Sequence, residues 1–323
     1  MRKWVKITLW TLLPLAAVIV CVVRWQAWFG MPAEPEWTGD TLSGRFITFV
    51  DDSVPGFVYT PEGWQDTCRA NSLDILLLGD IHSGLTRADY DSLAARLPEA
   101  EVLAQVGDWL ERGQEYYRQQ LLREWNGCGL SALPVINCPG NHEYSKGLNK
   151  QLSPVWQEAF PQPDNGPHTA PGVSYYVDFP HLRFIVIDTN PLDHIVYLTR
   201  TLTWLKQTIY SAGDRFVVVM MHHPVIPAGE GRFSPMIYTT FRLALSDVDL
   251  VIAGHDHSYA RRMPFVVFNT AGKPKPQRSA THYERSSPDA TYMLLSVRPD
   301  QLELRAYRME DVLPIDTVYV KHD

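Results

Sequence analysis

An α/β fold is what this 323-residue sequence predicts. Two observations carry the prediction: short apolar runs alternate with helical patterns, and the runs end in polar clusters rich in Asp, Asn and His. With 45% hydrophobic and 20% charged residues, the chain is long enough for one large domain or two modest ones with a sizeable core. Collagenous and wholly disordered classes are excluded.

The apolar runs lie at 75–78, 102–106, 135–136, 184–187, 216–221 and 250–253. Runs this short and rich in Val, Ile and Leu predict strands buried on both faces. Helical patterns fall between them at 88–97, 114–125, 198–210 and 235–245. Such alternation predicts a sheet whose chemistry lies beyond the carboxyl ends of its strands. After Pro264 the helical signal fades, and 292–297 followed by 301–307 predict a closing hairpin. Residues 30–70, rich in Pro and Gly around an alternating stretch at 45–50, predict a linker with an edge strand or hairpin.

The N-terminus predicts a signal anchor over residues 1–29. Between Ile7 and Val23 stand 17 residues without a charge, preceded by Arg2, Lys3 and Lys6 and followed by Arg24. As a helix these would span about 26 Å, with Trp4, Trp10, Trp25 and Trp28 near the interfaces. No small-x-small cleavage site follows, so an uncleaved transmembrane helix is expected rather than a removed leader. The basic bias before the span predicts a catalytic domain on the extracytoplasmic side, attached to the membrane through this helix.

The charge balance is 29 minus 36, or −7. It offers no basic footprint for nucleic acid. Cys21, Cys68, Cys128 and Cys138 form no C-x-x-C pair, which excludes a cysteine zinc site and a disulfide scaffold. In an oxidising compartment a Cys68–Cys128 bridge is expected, because both residues fall at the end of the sheet away from the polar clusters.

Those clusters carry the chemistry. Asp80 and His82 follow the first run, Asp108 the second, and Asn141, His142 and Glu143 the third. His222 and His223 follow the fifth run, and His255, Asp256 and His257 the sixth. Carboxylate, imidazole and amide oxygen suit Mn, Fe or Zn ions. Each cluster alone has an ordinary explanation, such as a turn aspartate or a boundary histidine. Five clusters in sequence order at strand ends make coincidence a poor account.

Asp80-x-His82, Gly107-Asp108, Gly140-Asn141-His142-Glu143, His222-x-Pro224 and Gly254-His255-x-His257 together resemble the signature of calcineurin-like metallophosphoesterases. Residues 254–261, with Asp188 and Trp204-Leu205, look most like the purple acid phosphatase branch. The resemblance implies a four-layer α/β/β/α sandwich over 71–323 and a hydrolase with two divalent transition metals. It places one metal on Asp80, His82 and His257, the other on Asn141, His222 and His255, and Asp108 between them. His142 is implied as the proton donor to the leaving oxygen, and His223 and Asp188 as supporting or substrate-facing residues. One position departs from the purple acid phosphatase pattern. Where that branch has a tyrosine three residues after the bridging aspartate, this chain has Glu111, so no tyrosinate colour is expected.

The function so implied is a membrane-anchored phosphohydrolase that cleaves a phosphate ester with a two-metal-activated water or hydroxide. The enzymatic alternative is a phosphodiesterase or a lipid-linked pyrophosphate hydrolase. A non-catalytic scaffold is the alternative of another class, and it ordinarily goes with lost ligands, whereas none of the seven is missing.

Overall fold

Alternation along single strands divides the hydrophobic interior into layers. In the computed structural model, which describes residues 57–60, 63–66, 72–145, 151–160, 163, 165–167, 173–191, 195–229, 234–273 and 283–321, the chain begins with β1 (Phe57–Thr60), β2 (Gly63–Asp66), β3 (Leu73–Leu78), α1 (Arg87–Arg96), β4 (Val102–Gln105), α2 (Glu115–Trp125) and β5 (Val135–Asn137). It continues through α3 (Pro154–Ala159), β6 (Tyr175–Phe179), β7 (Leu182–Ile187), α4 (Ile195–Tyr210), β8 (Phe216–Met221), α5 (Pro235–Ala244) and β9 (Leu250–Ala253). The remaining strands are β10 (Tyr259–Arg262), β11 (Phe265–Val267), β12 (Arg285–Ser287), β13 (Thr291–Val297), β14 (Gln301–Arg308) and β15 (Asp316–Lys321).

One sheet has the order β15-β14-β13-β3-β4-β5 and a second has β12-β10-β11-β9-β8-β7-β6; β1 and β2 form a separate two-stranded sheet. All six positions of β3 are buried. Leu73, Ile75 and Leu77 share a core with Phe184, Val186, Val218, Met220, Ile252, Met293 and Leu295, the facing sides of the two large sheets. Leu76 and Leu78 point the other way, into a layer with Tyr90, Leu93, Leu121 and Trp125 of α1 and α2. On the second sheet Ile185, Ile187, Val219 and Met221 likewise belong with Trp204, Leu205 and Phe241 of α4 and α5. The period-two geometry of a strand therefore produces an α/β/β/α sandwich from strands that are apolar on both faces. Each such side chain stabilises the fold by about 1.5–3 kcal/mol relative to exposure.

Local signals fix the helix starts. Thr86 caps α1, its main-chain N–H donating to Asp89 Oδ2 at 2.8 Å in a reciprocal capping box. Ser234 caps α5, and Pro235 occupies its first turn, where a missing N–H costs nothing. The strands and helices predicted between residues 75 and 307 all form, several with ends displaced by a few residues. β3 starts earlier than its apolar run because Asp74, a charged residue inside a buried strand, is paired with Arg298 Nη2 at 3.2 Å. The predicted hairpin is β13 with β14, and β15 extends it. Strand β6, the short strands β10 and β12 and helix α3 had no apolar run to announce them, whereas β11 forms on the apolar run Phe265 to Phe268.

Two sequence expectations are corrected. Among the described residues no helix is long and apolar enough to cross a membrane. The longest, α4, has 16 residues, spans about 24 Å and carries Arg200 and Lys206. Residues 1–29, on which the anchor was expected, and the stretch 45–50 lie outside the described residues. The transmembrane anchor, the membrane attachment and the extracytoplasmic placement are therefore not upheld. The expected Cys68–Cys128 bridge is not upheld either: Cys128 is buried with a free thiol, and Cys68 lies outside the described residues.

Candidate metal centre

Because β3, β4 and β5 run parallel, as do β7, β8 and β9, their carboxyl ends gather at one edge of the sandwich. Main-chain bonds tie these ends together: Asp80 N–H donates to Gly107 O at 3.0 Å, and Gly254 N–H to His222 O at 3.1 Å. The two sheets meet there through His222, whose Nδ1–H donates to Val106 O at 2.9 Å. The turns leaving the strands are sharp. Asp80, His82, Asp108, His255 and His257 have φ of 50°, 51°, 53°, 72° and 54°, in the left-handed region. Each costs a non-glycine residue about 1–3 kcal/mol, so the surrounding structure must hold it there. Two glycines permit the close approach: a Cβ on Gly140 would lie 2.2 Å from Asp108 Oδ1, and one on Gly254 would lie 2.4 Å from Asp80 Oδ2.

The seven residues expected as ligands converge on one another. Asp80 Oδ1 lies 3.5 Å from His257 Nε2, and His82 Nε2 lies 3.2 Å from the same nitrogen. His222 Nε2 lies 3.2 Å from Asn141 Oδ1 and 3.3 Å from His255 Nδ1. Asp108 Oδ2 stands between these groups, 3.7 Å from His82 Nε2 and 3.3 Å from His222 Nε2. His142 reaches the same oxygen at 4.0 Å through Nε2, while its Nδ1–H donates to Glu111 O at 2.5 Å. His223 stands beside His255, with ring centroids 4.5 Å apart, and shares a 2.8 Å hydrogen bond with Thr189 Oγ1.

The donor chemistry fits cations. His257 Nδ1–H donates to Lys273 O at 2.8 Å, which leaves its Nε2 bare when the ring is neutral. Burial pushes the pKa of His82 down to about 3 despite the nearby Asp108, so its ring is neutral too. Two imidazole nitrogens facing each other at 3.2 Å beside a carboxylate form a set of lone pairs suited to a positive ion. At His222 burial opposes a charge, but Asp108 outweighs it and the pKa rises to about 10. In the metal-free protein a proton joins that pair, and a cation would take its place. For Asp108, burial works upward and His222 works downward more strongly, so its carboxyl stays ionised. Asp80, His82, Asp108, His222, His223, His255 and His257 belong to overlapping groups of ligand atoms that lie within 4.8 Å of one another. These His and Asp clusters form a centre consistent with two metals.

Buried residues behind the centre hold the loops. Glu143 Oε2 accepts from Asp108 N–H at 2.9 Å and Gly140 N–H at 2.7 Å, while Oε1 accepts from Leu110 N–H at 2.9 Å. Burial, reinforced by the Asp108 charge, pushes the pKa of Glu143 up to about 7 against the Leu110 and Gly140 N–H groups and the charge of His222. Asp188 accepts from Tyr144 OH and from the main-chain and side-chain N–H groups of Asn190 at 3.0 and 2.9 Å. Asn190 Nδ2 also donates to Pro139 O at 3.2 Å and Gly140 O at 3.3 Å, so Asp188 holds the Asn141 turn through Asn190. Asp256 Oδ2 accepts from Ala228 N–H at 2.5 Å and Gly229 N–H at 3.0 Å, fixing the loop after His223. Glu143 and Asp256 stand inside the sequence motifs, where their position beside expected ligands was the available signal. Asn190 and the carbonyl of Lys273 had none.

Two facing sheets that gather Asp, Asn and His from parallel strand ends define a metallophosphoesterase. Residues 73–259 match the calcineurin-like phosphoesterase family, and the chain belongs to it. A 138-residue stretch is 27% identical to the glycerophosphodiester phosphodiesterase GpdQ of Enterobacter lignolyticus (strain SCF1), covering 40% of this chain and 47% of that protein. The match thus spans about half the length of this curated relative. Among solved structures, GAP50, described as the anchor in the inner membrane complex of Plasmodium, superposes with a TM-score of 0.60 at 14% identity, covering 78% of this chain and 90% of that one. Purple acid phosphatase PPD1 of yellow lupin gives 0.60 at 12% identity, covering 83% and 59%. PhoD gives 0.52 at 11% identity, covering 80% and 71%. These three likenesses concern the fold.

Proposed function

We propose that the chain is a metal-dependent phosphodiesterase, with one cation held by Asp80, His82 and His257, a second by Asn141, His222 and His255, and Asp108 between them. The observation that carries the two-metal part is the position of Asp108 Oδ2, 3.3 Å from His222 Nε2 and 3.7 Å from His82 Nε2. The diester part is supported by the stretch shared with a glycerophosphodiester phosphodiesterase. This reading replaces the membrane-anchored phosphohydrolase expected from the sequence, whose anchor has no counterpart among the described helices.

Nitrogen and oxygen donors suit divalent Mn, Fe or Zn. Two such ions would polarise the phosphoryl oxygens and bring an attacking water into the ionisable range near neutrality. The chain's own residues do the rest. Asp80 and Asp108 contribute two negative charges against four from the cations, so the centre remains attractive to a phosphate anion. Asp108 also fixes the Asn141 turn, because Oδ1 accepts from His142 N–H at 2.8 Å. With Nδ1–H committed to Glu111 O, a protonated His142 has Nε2–H to offer to the departing alkoxide. The side chain of His142 is 31% exposed, which lets it meet a substrate.

The test is turnover of bis(4-nitrophenyl) phosphate against 4-nitrophenyl phosphate by the metal-reconstituted protein. A kcat/KM at least about tenfold higher on the diester is expected, a difference of about 1.4 kcal/mol in transition-state binding. A preference for the monoester overturns the diester assignment.

A further inference from the structure

Glu111 lies on the loop after β4 at the edge of the metal centre, where its carboxylate groups with His82 and His142 within 4.8 Å. Its Oε2 is 3.3 Å from His82 Nδ1. That is the ring edge opposite Nε2, the atom that faces His257 and Asp108. His82 Nδ1 is buried and makes no regular hydrogen bond among the described residues. Three other histidines turn Nδ1 away from the centre and donate to main-chain carbonyls, His142 to Glu111, His222 to Val106 and His257 to Lys273. His82 faces a carboxylate instead. The main chain of the same residue holds His142, through the bond from His142 Nδ1–H to Glu111 O. The rings of His82 and His142 meet edge to face at 4.5 Å.

We propose that Glu111 is a positioning residue whose carboxylate accepts the Nδ1–H of His82 and so fixes that ring with Nε2 bare toward the metal, while its carbonyl orients His142. A carboxylate behind a ligating imidazole raises its basicity and locks its tautomer, and removing such a partner typically weakens metal binding about 10- to 100-fold. The Glu111 side chain is 41% exposed, so replacing it leaves no cavity in the core. The inference rests on the two-metal reading above.

The experiment is a Zn²⁺ titration of metal-free protein in competition with a chromogenic chelator, with far-UV circular dichroism as a check on folding. Wild type should give two stepwise constants. Glu111→Ala should weaken one by about 10- to 100-fold and leave the other within about twofold. Glu111→Gln, whose amide oxygen still accepts the Nδ1–H, should lose less than Glu111→Ala. In a His82→Ala background, Glu111→Ala should cause no further loss, because its effect runs through the missing ring. Unchanged constants in Glu111→Ala overturn the proposal, and so does a full additive loss in the double variant, which would mean that Glu111 touches the metal itself. A wild type with no measurable Zn²⁺ affinity overturns the two-metal reading and this inference with it, whereas two wild-type constants that ignore Glu111 overturn this inference alone.

Discussion

The main-chain N–H of His142 donates to Asp108 Oδ1 at 2.8 Å, so the residue assigned to the leaving group is anchored to the residue assigned to both metals. The bond uses the backbone of His142 and leaves Nε2 of its ring to act, since Nδ1–H is held by Glu111 O. His142→Ala should therefore keep its metals and lose rate in proportion to leaving-group basicity. Loss of a general acid typically costs about 10²- to 10⁴-fold. A dialkyl phosphate diester, which can expel only an alkoxide, should fall toward that full loss, while a diester expelling 4-nitrophenolate should fall much less. Paired rates with metal content measured alongside check this. Equal losses on both substrates would return His142 to a structural role.

Asp108→Asn should lower the occupancy of both metals together. Its Oδ2 lies close to His82 and to His222, and the substitution removes the charge that each ion would share. Elemental analysis of the variant after equilibration with limiting metal checks this, with full occupancy at either position as the contrary result.

Gly140→Ala should abolish metal binding while the fold survives. The added methyl would stand 2.2 Å from Asp108 Oδ1 and 2.3 Å from Asp108 N, contacts that force the Asn141 turn away from Asp108. Far-UV circular dichroism and a metal titration report the two halves of the prediction. Wild-type affinity in this variant would show that the turn tolerates displacement.

Much of the fold is written in the sequence because β3, β7, β8 and β9 are buried on both faces and need continuous apolar runs. The candidate ligands are legible for a related reason: parallel strands end together, so polar residues placed after successive runs must meet. Strands without that demand leave weaker traces. β10 overlaps the end of the His255-to-Arg261 motif and is paired on both sides by short neighbours, and β15 is a half-exposed edge strand. The supports of the site are harder to read still. Asn190 acts from another strand end, and Val106 and Lys273 contribute carbonyls that every residue type possesses. The anchor expected over residues 1–29 has no counterpart among the described helices.

Glu143→Ala should destabilise the protein by at least about 3 kcal/mol, since it strips a buried acceptor from the N–H groups of Asp108, Leu110 and Gly140 and an orphaned buried donor costs about 1–3 kcal/mol. Urea unfolding of the metal-free protein isolates this effect from metal binding. A change below 1 kcal/mol, on the order of a surface substitution, would mean that water replaces the carboxylate at little cost.

Asp80, His82, Asp108, Asn141, His222, His255 and His257 are proposed to hold two ions that the hydrolysis requires. The most direct test is a single preparation followed through chelation and reconstitution, with metal per chain and bis(4-nitrophenyl) phosphate turnover measured at each stage. Turnover should disappear with the metals and return as about two ions per chain are restored, in keeping with a two-metal phosphoesterase centre. Turnover that persists in fully metal-free protein, or that saturates with one ion bound, would contradict the proposal.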